Sequence, residues 1–239
     1  METFATETSS NNARRGTDGS AEGVVQPLVQ RMREDIVQCD LRPGDRMRFE
    51  DLRRRYASSI GTLREALSVL VADGLVTVEE GKGFRVAPVS REDLLDIVEM
   101  RVTLECRAVA DAIRHGDDGW EARVLTSFHL LSKVEGETAS RPKLPQPVWS
   151  ERHRDFHEAL VGACRSQRVL QFRKMLFDQA HRYRRLSMAF RQAPKQVGEH
   201  RLLMEAAIRR DAAEATRLIE SHIRGTAQNI IRCVPGFAP

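Results

Sequence analysis

Cysteine is scarce in this chain, and its placement excludes several classes of protein. The four cysteines, at positions 39, 106, 164 and 233, are far apart and form no CxxC pair. This spacing argues against a zinc ribbon, a dithiol redox motif and a disulfide framework. We therefore expect a reducing compartment, the cytoplasm.

Long apolar runs are absent as well. No run of about 18 consecutive apolar residues is present that could span a bilayer. Residues 1–22 are rich in Ser, Thr, Asn and Gly and lack the apolar stretch of a secretory signal. They are predicted to be a disordered leader. We expect a soluble protein with no membrane partner.

The chain is long enough for two modest domains, because 239 residues with 41% hydrophobic content can bury a sizeable core. The formal net charge of +4 does not locate a partner, since residues 1–89 carry 13 basic and 14 acidic residues. Residues 41–64, however, hold seven arginines and three acidic residues. Such a segment is compatible with a phosphate contact or with a solvated face.

The first 89 residues have the pattern of three helices followed by a hairpin. Apolar residues from Val25 to Val37 recur at helical spacing, and β-branched residues lie on both sides of Glu80-Gly81-Lys82-Gly83. The predicted elements are a helix over about 24–40, a turn at 41–45, a short helix around 50–57, a third helix between an N-cap at Ser58 or Ser59 and a stop at Asp73-Gly74, and a hairpin over 75–89. This order indicates a winged helix-turn-helix domain over 23–89.

Beyond Pro88 the sequence changes to long helical patterns with hardly any strand signal. The predicted helices span about 91–115, 118–137, 148–165, 167–191, 195–210 and 211–232, with a Pro-rich interruption at 141–147 (RPKLPQP). We expect a six-helix bundle domain over 90–232 and a tail over 233–239. The fold class is thus mainly α.

Several motifs resemble the GntR family of bacterial regulators. LREAL, GLV and GxGFRV resemble its winged-helix domain, and FHEAL, with His200 and His222, resembles the ligand-sensing FCD domain of its FadR/VanR branch. LLDIVEMR, HLLSKVE and RYASSIGTLREAL also resemble carbon-starvation-induced repressors of glutarate and GABA catabolism genes. The resemblance covers about residues 23–232. It implies a homodimeric transcription regulator that binds double-stranded operator DNA.

The predicted winged-helix domain differs from the family pattern at two positions. The family's usual arginines before the recognition helix and early in the second helix are replaced by Ile60 and Glu50. Arg64 in LREAL remains, and a bidentate contact with guanine is worth about 1–3 kcal/mol; its alternative is an ion pair with a neighbour such as Glu65. For Lys82 the sequence leaves two roles open, a contact with DNA and a solvated lysine in a turn. The expected DNA-binding residues are Arg64, Ser59, Thr62, Arg48, Lys82 and Gly83.

All seven histidines lie after residue 90, which points to chemistry in the helical part. His153 and His157 are four residues apart, so a helix places them on one face, where two imidazoles can share a metal ion. A hydrogen-bonded, half-buried role is the alternative for any single histidine. The resemblance adds His200 and His222 as ligands. Family members ordinarily have an aspartate as a further ligand, and the corresponding position in this sequence is His153. The resemblance thus implies a four-histidine site, His153, His157, His200 and His222, for Zn²⁺ or Ni²⁺.

Four neutral imidazoles leave the full charge of the metal facing the cavity, which favours an anionic effector, a small organic acid such as a dicarboxylate. Arg101 lies where the family often directs an arginine into the pocket. It can hold a carboxylate or pair with Glu105. Tyr183 and Arg182 are further effector candidates, although RYRR is equally compatible with a solvated basic face.

The leading hypothesis is a homodimeric repressor whose bundle binds a metal and a small acid and so modulates operator binding. Two alternatives remain open. One is a metal-responsive sensor, and the other is a helical metalloenzyme that uses the four histidines. No nucleophile elbow, phosphate loop or paired Glu-x-x-His motif supports the metalloenzyme. We therefore expect that the protein is not an enzyme.

Overall fold

The computed structural model describes residues 18–140, 146–190 and 198–237. These ranges form a mainly α fold with one two-stranded antiparallel sheet, as the sequence predicts. The helices are α1 (Asp18–Val37), α2 (Phe49–Tyr56), α3 (Ile60–Ala72), α4 (Arg91–His115), α5 (Asp118–Ser140), α6 (Gln146–Val161), α7 (Gln167–Phe190), α8 (Glu199–Ile208) and α9 (Ala212–Cys233); the strands are β1 (Val76–Glu79) and β2 (Gly83–Val86). No helix in these ranges is long and apolar enough to cross a membrane.

Helices α1 to α3 and the hairpin share one hydrophobic core and form a winged helix-turn-helix. Met32 and Ile36 of α1 and Leu63 and Leu67 of α3 are fully buried in it. In the hairpin Val76 pairs with Val86 and the register closes at Glu79 and Gly83. Burial of one face of each helix, about 25 cal/mol for each Å² of apolar surface, stabilises these short elements.

The six helices α4 to α9 surround a second core, in which α4 packs along α9 and α7, and α5 packs against α6. Trp120 of α5 is fully buried, and its Nε1–H donates to the Ala159 carbonyl at 3.0 Å. Because an indole N–H must find an acceptor when it is buried, this bond fixes the contact between α5 and α6. The expected six-helix domain is present.

Several boundaries differ from the predicted ones. Helix α1 begins at Asp18, so residues 18–22 are helical rather than part of a leader; extending a helix costs less than nucleating one. The last residues are not a free tail, since α9 includes Cys233 and the buried Phe237 packs against the ring of Tyr183 at 6.0 Å. Most of the predicted Pro-rich interruption, 141–145, and leader residues 1–17 lie outside the described residues.

Helix α7 joins the two domains. The Arg182 guanidinium donates to the carbonyl of Ala87, at the start of the connection between β2 and α4. The Tyr183 hydroxyl donates to Asp93 and accepts the N–H of Ser90, at the end of that connection, at 3.2 Å. Gln179 adds a bond from its Nε2 to the Asp73 carbonyl at 2.7 Å. The winged helix-turn-helix domain is therefore held by one face of α7.

A buried carboxylate reinforces this junction. The side chain of Asp178 on α7 is 1% exposed and accepts from Arg154 of α6 at 2.9 Å and from Lys174 at 3.0 Å. Arg33 of α1, in the DNA-binding domain, lies 3.7 Å from the same carboxylate and 2.7 Å from Asp73. Three cations from three helices thus converge on one anion.

We expect Asp178→Asn to lower the free energy of unfolding by about 2–3 kcal/mol, because it leaves cations next to a buried neutral group. The loss stays below that of a fully buried pair, since Arg33, Arg154 and Lys174 keep some contact with solvent. The matched control is Asp155→Asn, which removes a surface pair with Arg152 and should cost less than about 0.5 kcal/mol. Urea unfolding followed by circular dichroism measures both; equal midpoints for the two variants would refute the role of Asp178.

Candidate metal and effector site

Four buried histidines from three helices meet in the interior of the C-terminal domain. His153 and His157 lie one turn apart on α6, His200 lies in the first turn of α8, and His222 lies in the middle of α9. All four side chains are at most 5% exposed. The structure therefore brings together the four histidines that the sequence analysis predicts as metal ligands.

The spacing of the four rings suits a metal ion. One nitrogen from each ring lies within 4.8 Å of the corresponding nitrogen of every other ring. The Nε2 atoms of His153 and His157 are 3.1 Å apart. Nitrogens bound to one ion at about 2.1 Å lie at most about 4.2 Å from one another. The donor set thus fits a divalent ion once the most distant nitrogens approach each other by about 0.6 Å or more.

Two carboxylates orient the rings of His200 and His222. Nδ1 of His200 lies 2.8 Å from Glu135, and Nδ1 of His222 lies 2.7 Å from Glu199. Because a carboxylate only accepts, Nδ1 carries the proton in both rings and Nε2 keeps its lone pair for the cluster. The buried Nε2 of His200 has no hydrogen-bond partner within the described ranges. This is the tautomer that a metal ligand requires.

Burial keeps three of the rings, those of His153, His157 and His222, neutral. It lowers the pKa of His153 and of His157 well below the ordinary range, and the neighbouring rings and arginines act in the same direction. Burial lowers the pKa of His222 to about 4, although the bond to Glu199 opposes this shift. Neutral imidazoles bind metals and protonated ones do not, so the rings keep their metal-binding form at neutral pH.

An arginine competes for one of these nitrogens. The guanidinium of Arg184 donates to Nε2 of His153 at 2.9 Å and lies over the ring of Trp149 at 4.1 Å. The same Nε2 faces His157. A metal ion bound at this atom would replace the hydrogen bond from Arg184 and leave that guanidinium next to the metal.

The histidines form one wall of a cavity between α4, α7 and α9. Its polar side is lined by Arg101, His153, His181, Arg184 and His222, and its apolar side by Leu94, Val98, Phe177, Ile223 and Ile230. Burial lowers the pKa of Arg101 and of Arg184, but guanidinium groups remain charged in proteins. A cavity with two buried cations and one apolar side is suited to an anion that carries a hydrocarbon part.

Arg101 lies in the cavity wall and also pairs with Glu105. Its guanidinium lines the cavity and lies 3.4 Å from the Glu105 carboxylate. Glu105 also accepts from Arg173 at 2.8 Å, and Arg173 donates to the His157 carbonyl at 3.0 Å. The buried carboxylate thus serves two guanidinium groups, so Arg101 keeps positive charge for a ligand.

The structure does not place the other two effector candidates in the cavity. Arg182 and Tyr183 lie on the face of α7 that holds the DNA-binding domain, where they bind Ala87 and Asp93. A helix turns about 100° per residue, so an assignment that is wrong by one or two positions selects the opposite face. His181 and Arg184 line the cavity instead, and their spacing of four and seven residues from Phe177 was the available signal.

The predicted DNA-reading residues all belong to the N-terminal domain, and all of them but the half-buried Thr62 are exposed. Arg64 is exposed on α3 and its guanidinium lies over the ring of Phe49 at 5.8 Å. It forms no ion pair with Glu65 or any other residue that the structure describes. Arg48, directly before α2, is also exposed. The guanidinium of Arg64 is therefore free to contact DNA.

Ser59 and Thr62 have a structural role at the start of α3. The Ser59 hydroxyl caps the helix by accepting the Thr62 N–H at 3.2 Å, and the two hydroxyls are 2.8 Å apart. Lys82 is exposed at the tip of the hairpin, where Gly83 adopts a φ of +85° that favours glycine. The wing thus presents a lysine beside a turn that needs Gly83 for its backbone.

Comparison with known proteins agrees with this architecture. Residues 25–86 match the gntR family of bacterial regulatory proteins, and residues 96–225 match the FCD domain. The HTH-type transcriptional repressor GlaR of Escherichia coli (strain K12) is 42% identical over 197 residues, which cover 80% of this chain and 89% of GlaR. The HTH-type transcriptional regulator BphR of Paraburkholderia xenovorans (strain LB400) is 41% identical over 204 residues, 85% of this chain and 83% of BphR.

Solved structures share the fold. McbR/YncC of E. coli superposes with a TM-score of 0.75 at 18% identity, covering 87% of this chain and 97% of that one. A GntR transcriptional regulator from Rhodococcus sp. RHA1 superposes with a TM-score of 0.69 at 20% identity, covering 88% and 98%. Both families of motifs in the sequence are thus confirmed. The chain belongs to the GntR family of bacterial regulatory proteins with an FCD domain and is a DNA-binding transcription regulator rather than an enzyme.

Proposed function

We propose that this regulator is a cytoplasmic, homodimeric repressor whose FCD domain binds a divalent metal and a small organic acid that modulates operator binding. The observation that carries the proposal is that His153 and His222 of the four-histidine cluster line one cavity together with the buried Arg101 and Arg184. The similarity to GlaR, a transcriptional repressor, supports repression. A dimer supplies two winged helices for the two half-sites of a palindromic operator.

His153, His157, His200 and His222 would hold the metal. Imidazole ligands suit Zn²⁺ and Ni²⁺, and the bound ion would act as a Lewis acid that attracts a carboxylate. Glu135 and Glu199 fix the ring orientations but do not belong to the four-nitrogen set. The four neutral rings therefore leave the charge of the ion uncompensated toward the cavity.

Two guanidinium groups would bind the acid beside the metal. Arg101 already lines the cavity, and Arg184 is released from His153 once a metal occupies that nitrogen. Charge-assisted hydrogen bonds from arginine to a carboxylate are about twice as strong as neutral ones. The acid is thus bound by residues of α4 and α7 as well as by the metal.

Helix α7 links acid binding to the DNA-binding domain. Phe177, His181 and Arg184 face the cavity, whereas Gln179 and Arg182 bind the backbone of the DNA-binding domain and its connection. A shift of α7 that improves contact with the acid changes the contacts on its other face. Differential contacts of this kind are what coupling between two sites requires.

A metal-responsive sensor is the second candidate, and it makes a different prediction. In a sensor the metal alone releases the operator, whereas in the acid-responsive regulator release requires acid in addition to metal. Operator binding by metal-free protein, metal-loaded protein and metal-loaded protein with acid separates the two. The buried arginines in the cavity favour the acid-responsive regulator, because a cation alone gains nothing from them.

Arg64→Ala should abolish specific operator binding and leave the protein folded. The loss of one bidentate guanine contact in each half-site amounts to about 2–6 kcal/mol, which is at least roughly a 30-fold loss in affinity. Arg209→Ala is the matched control, because Arg209 is an exposed arginine of the FCD domain. Gel-shift titration at constant salt measures both, and an Arg64→Ala affinity within threefold of wild type would exclude the assignment.

Acid and operator should weaken the binding of each other by the same factor. This reciprocity is required if the acid site and the DNA-binding domain are coupled. Acid affinity measured by calorimetry with and without saturating operator, and operator affinity with and without saturating acid, give the two factors.

Tyr183→Phe tests the route of this coupling, since it removes the hydroxyl that binds Ser90 and Asp93 without touching the cavity. It should reduce the coupling factor and leave acid affinity unchanged. Identical acid affinities in the presence and absence of operator in the wild type would rule out allosteric regulation.

His153→Ala should weaken metal binding by at least about tenfold, and His153→Asp should retain the metal, because aspartate can reach from the same face of α6. The Asp variant should also bind a dianionic acid less tightly, since its carboxylate cancels part of the charge of the ion. His129→Ala, at an exposed position, is the control. Competition with a chelator measures metal affinity; unchanged affinity in the Ala variant would leave a three-histidine site.

A further inference from the structure

Helix α3 of the winged helix-turn-helix has an exposed face that begins with an apolar residue. The inward face of this helix is buried in the core of the N-terminal domain and includes Leu63, Leu67 and Leu70. The outward face is exposed and includes Ile60, Gly61, Arg64, Glu65 and Ser68. In a helix-turn-helix the second helix lies in the major groove, and its first residues contact the base edges. The start of this outward face is therefore the part of α3 that meets the bases.

Ile60, the first residue of α3, is a large apolar side chain on this face. It is 45% exposed and belongs to neither of the two hydrophobic cores of the described residues. Ile60 precedes Arg64 by four positions, so the two side chains are neighbours on the surface of the helix. An apolar contact surface thus lies beside the arginine that is expected to contact guanine.

Gly61 is a glycine that the fold of the protein does not require. It lies within α3, and a Cβ atom placed on it would be 3.8 Å from the hydroxyl oxygen of Ser59, an ordinary contact distance. Glycine destabilises a helix relative to alanine, because it loses more backbone freedom on folding. A helical glycine that relieves no contact inside the protein is suited to the close approach of another molecule from outside.

The hydroxyl groups around these two residues are engaged by the helix itself. The Ser59 hydroxyl accepts the Thr62 N–H at 3.2 Å and lies 2.8 Å from the Thr62 hydroxyl. The Ser68 hydroxyl donates to the Arg64 carbonyl at 3.0 Å. The side chain of Ile60 offers only van der Waals contact, and the apolar group that base edges present in the major groove is the 5-methyl group of thymine.

We propose that Ile60, beside the open surface at Gly61, packs against the 5-methyl group of a thymine in the operator. This thymine lies within about two base pairs of the guanine that Arg64 contacts, since four helical residues rise by about 6 Å and one base pair by about 3.4 Å. The operator therefore carries an A·T pair at this position. The inference goes beyond the proposed function and depends on neither the metal nor the acid.

The first test removes single methyl groups from the DNA. The operator is obtained by selection from a random duplex library with the full-length protein, and each thymine of the selected site is then replaced singly by deoxyuridine. In the wild type at least one replacement should weaken binding by about fourfold, the effect expected for one buried methyl group. In Ile60→Ala the same replacement should change affinity by less than about twofold. Leu202→Ala, which truncates a similarly exposed side chain on α8, should respond as the wild type does.

The second test adds a methyl group to the protein. Gly61→Ala should weaken operator binding by at least about fivefold, because its Cβ occupies the space that the DNA needs. The midpoint of its thermal unfolding should stay the same or rise, since alanine is favoured over glycine in a helix. The matched control is Gly136→Ala, at a glycine of α5 where an added Cβ meets open space among the described residues. It should leave operator affinity unchanged.

Fluorescence anisotropy at constant salt measures all affinities. The proposal is overturned if no thymine methyl group affects the wild type, if Ile60→Ala responds to deoxyuridine as strongly as the wild type, or if Gly61→Ala keeps wild-type affinity. Each of these results leaves the guanine contact of Arg64 standing, since Arg64→Ala tests it separately. A selection that yields no common sequence with the wild type would overturn both contacts. An operator that neither metal nor acid releases would contradict the proposed function and leave the thymine contact intact.

Discussion

The interior of the FCD domain is organised around a cluster of histidine and arginine side chains that outnumber the carboxylates buried with them. Four imidazoles and the side chains of Arg101 and Arg184 lie in one interior region, where Glu105 is the carboxylate that is fully buried with them. Lone pairs that face one another repel at low dielectric, and a buried guanidinium group needs acceptors. The proposed metal would supply a cation to the imidazoles, and the proposed acid would supply an anion to the Arg101 side of the cavity.

The helices and the hairpin were predictable from the sequence because each has a periodic apolar face and clear turn residues. Helix α4 and both strands lie where the pattern places them. The four histidines were found because spacing on α6 and family resemblance point to the same rings. In α7 the same reasoning failed, since this helix is buried on two sides and periodicity does not tell which side faces the cavity. Arg182 and Arg184 are two positions apart, but Arg182 binds the backbone of Ala87 between the domains and Arg184 lines the cavity of the FCD domain.

The junction between the domains illustrates what a single sequence does not reveal. Asp178 appears in the sequence as one acidic residue on a helix, and its partners Arg33 and Arg154 are distant along the chain. Long-range ion pairs leave no local pattern, so they become visible only when the helices are packed. The same holds for the pair between Glu105 and Arg173, whereas the pair between Glu105 and Arg101, four residues away, could be anticipated from the sequence.

The connection between the domains is Ala87 to Ser90, four residues that span at most about 14 Å. Helix α7 binds both ends of it. The short connection keeps the winged helix close to the FCD domain. B-DNA turns by roughly 35° per base pair, so in the proposed dimer a rotation of that size in each subunit would put the two recognition helices out of phase by a base pair or more. The proposed regulation would then be a change of helical phase between two half-sites, rather than a change in the distance between domains.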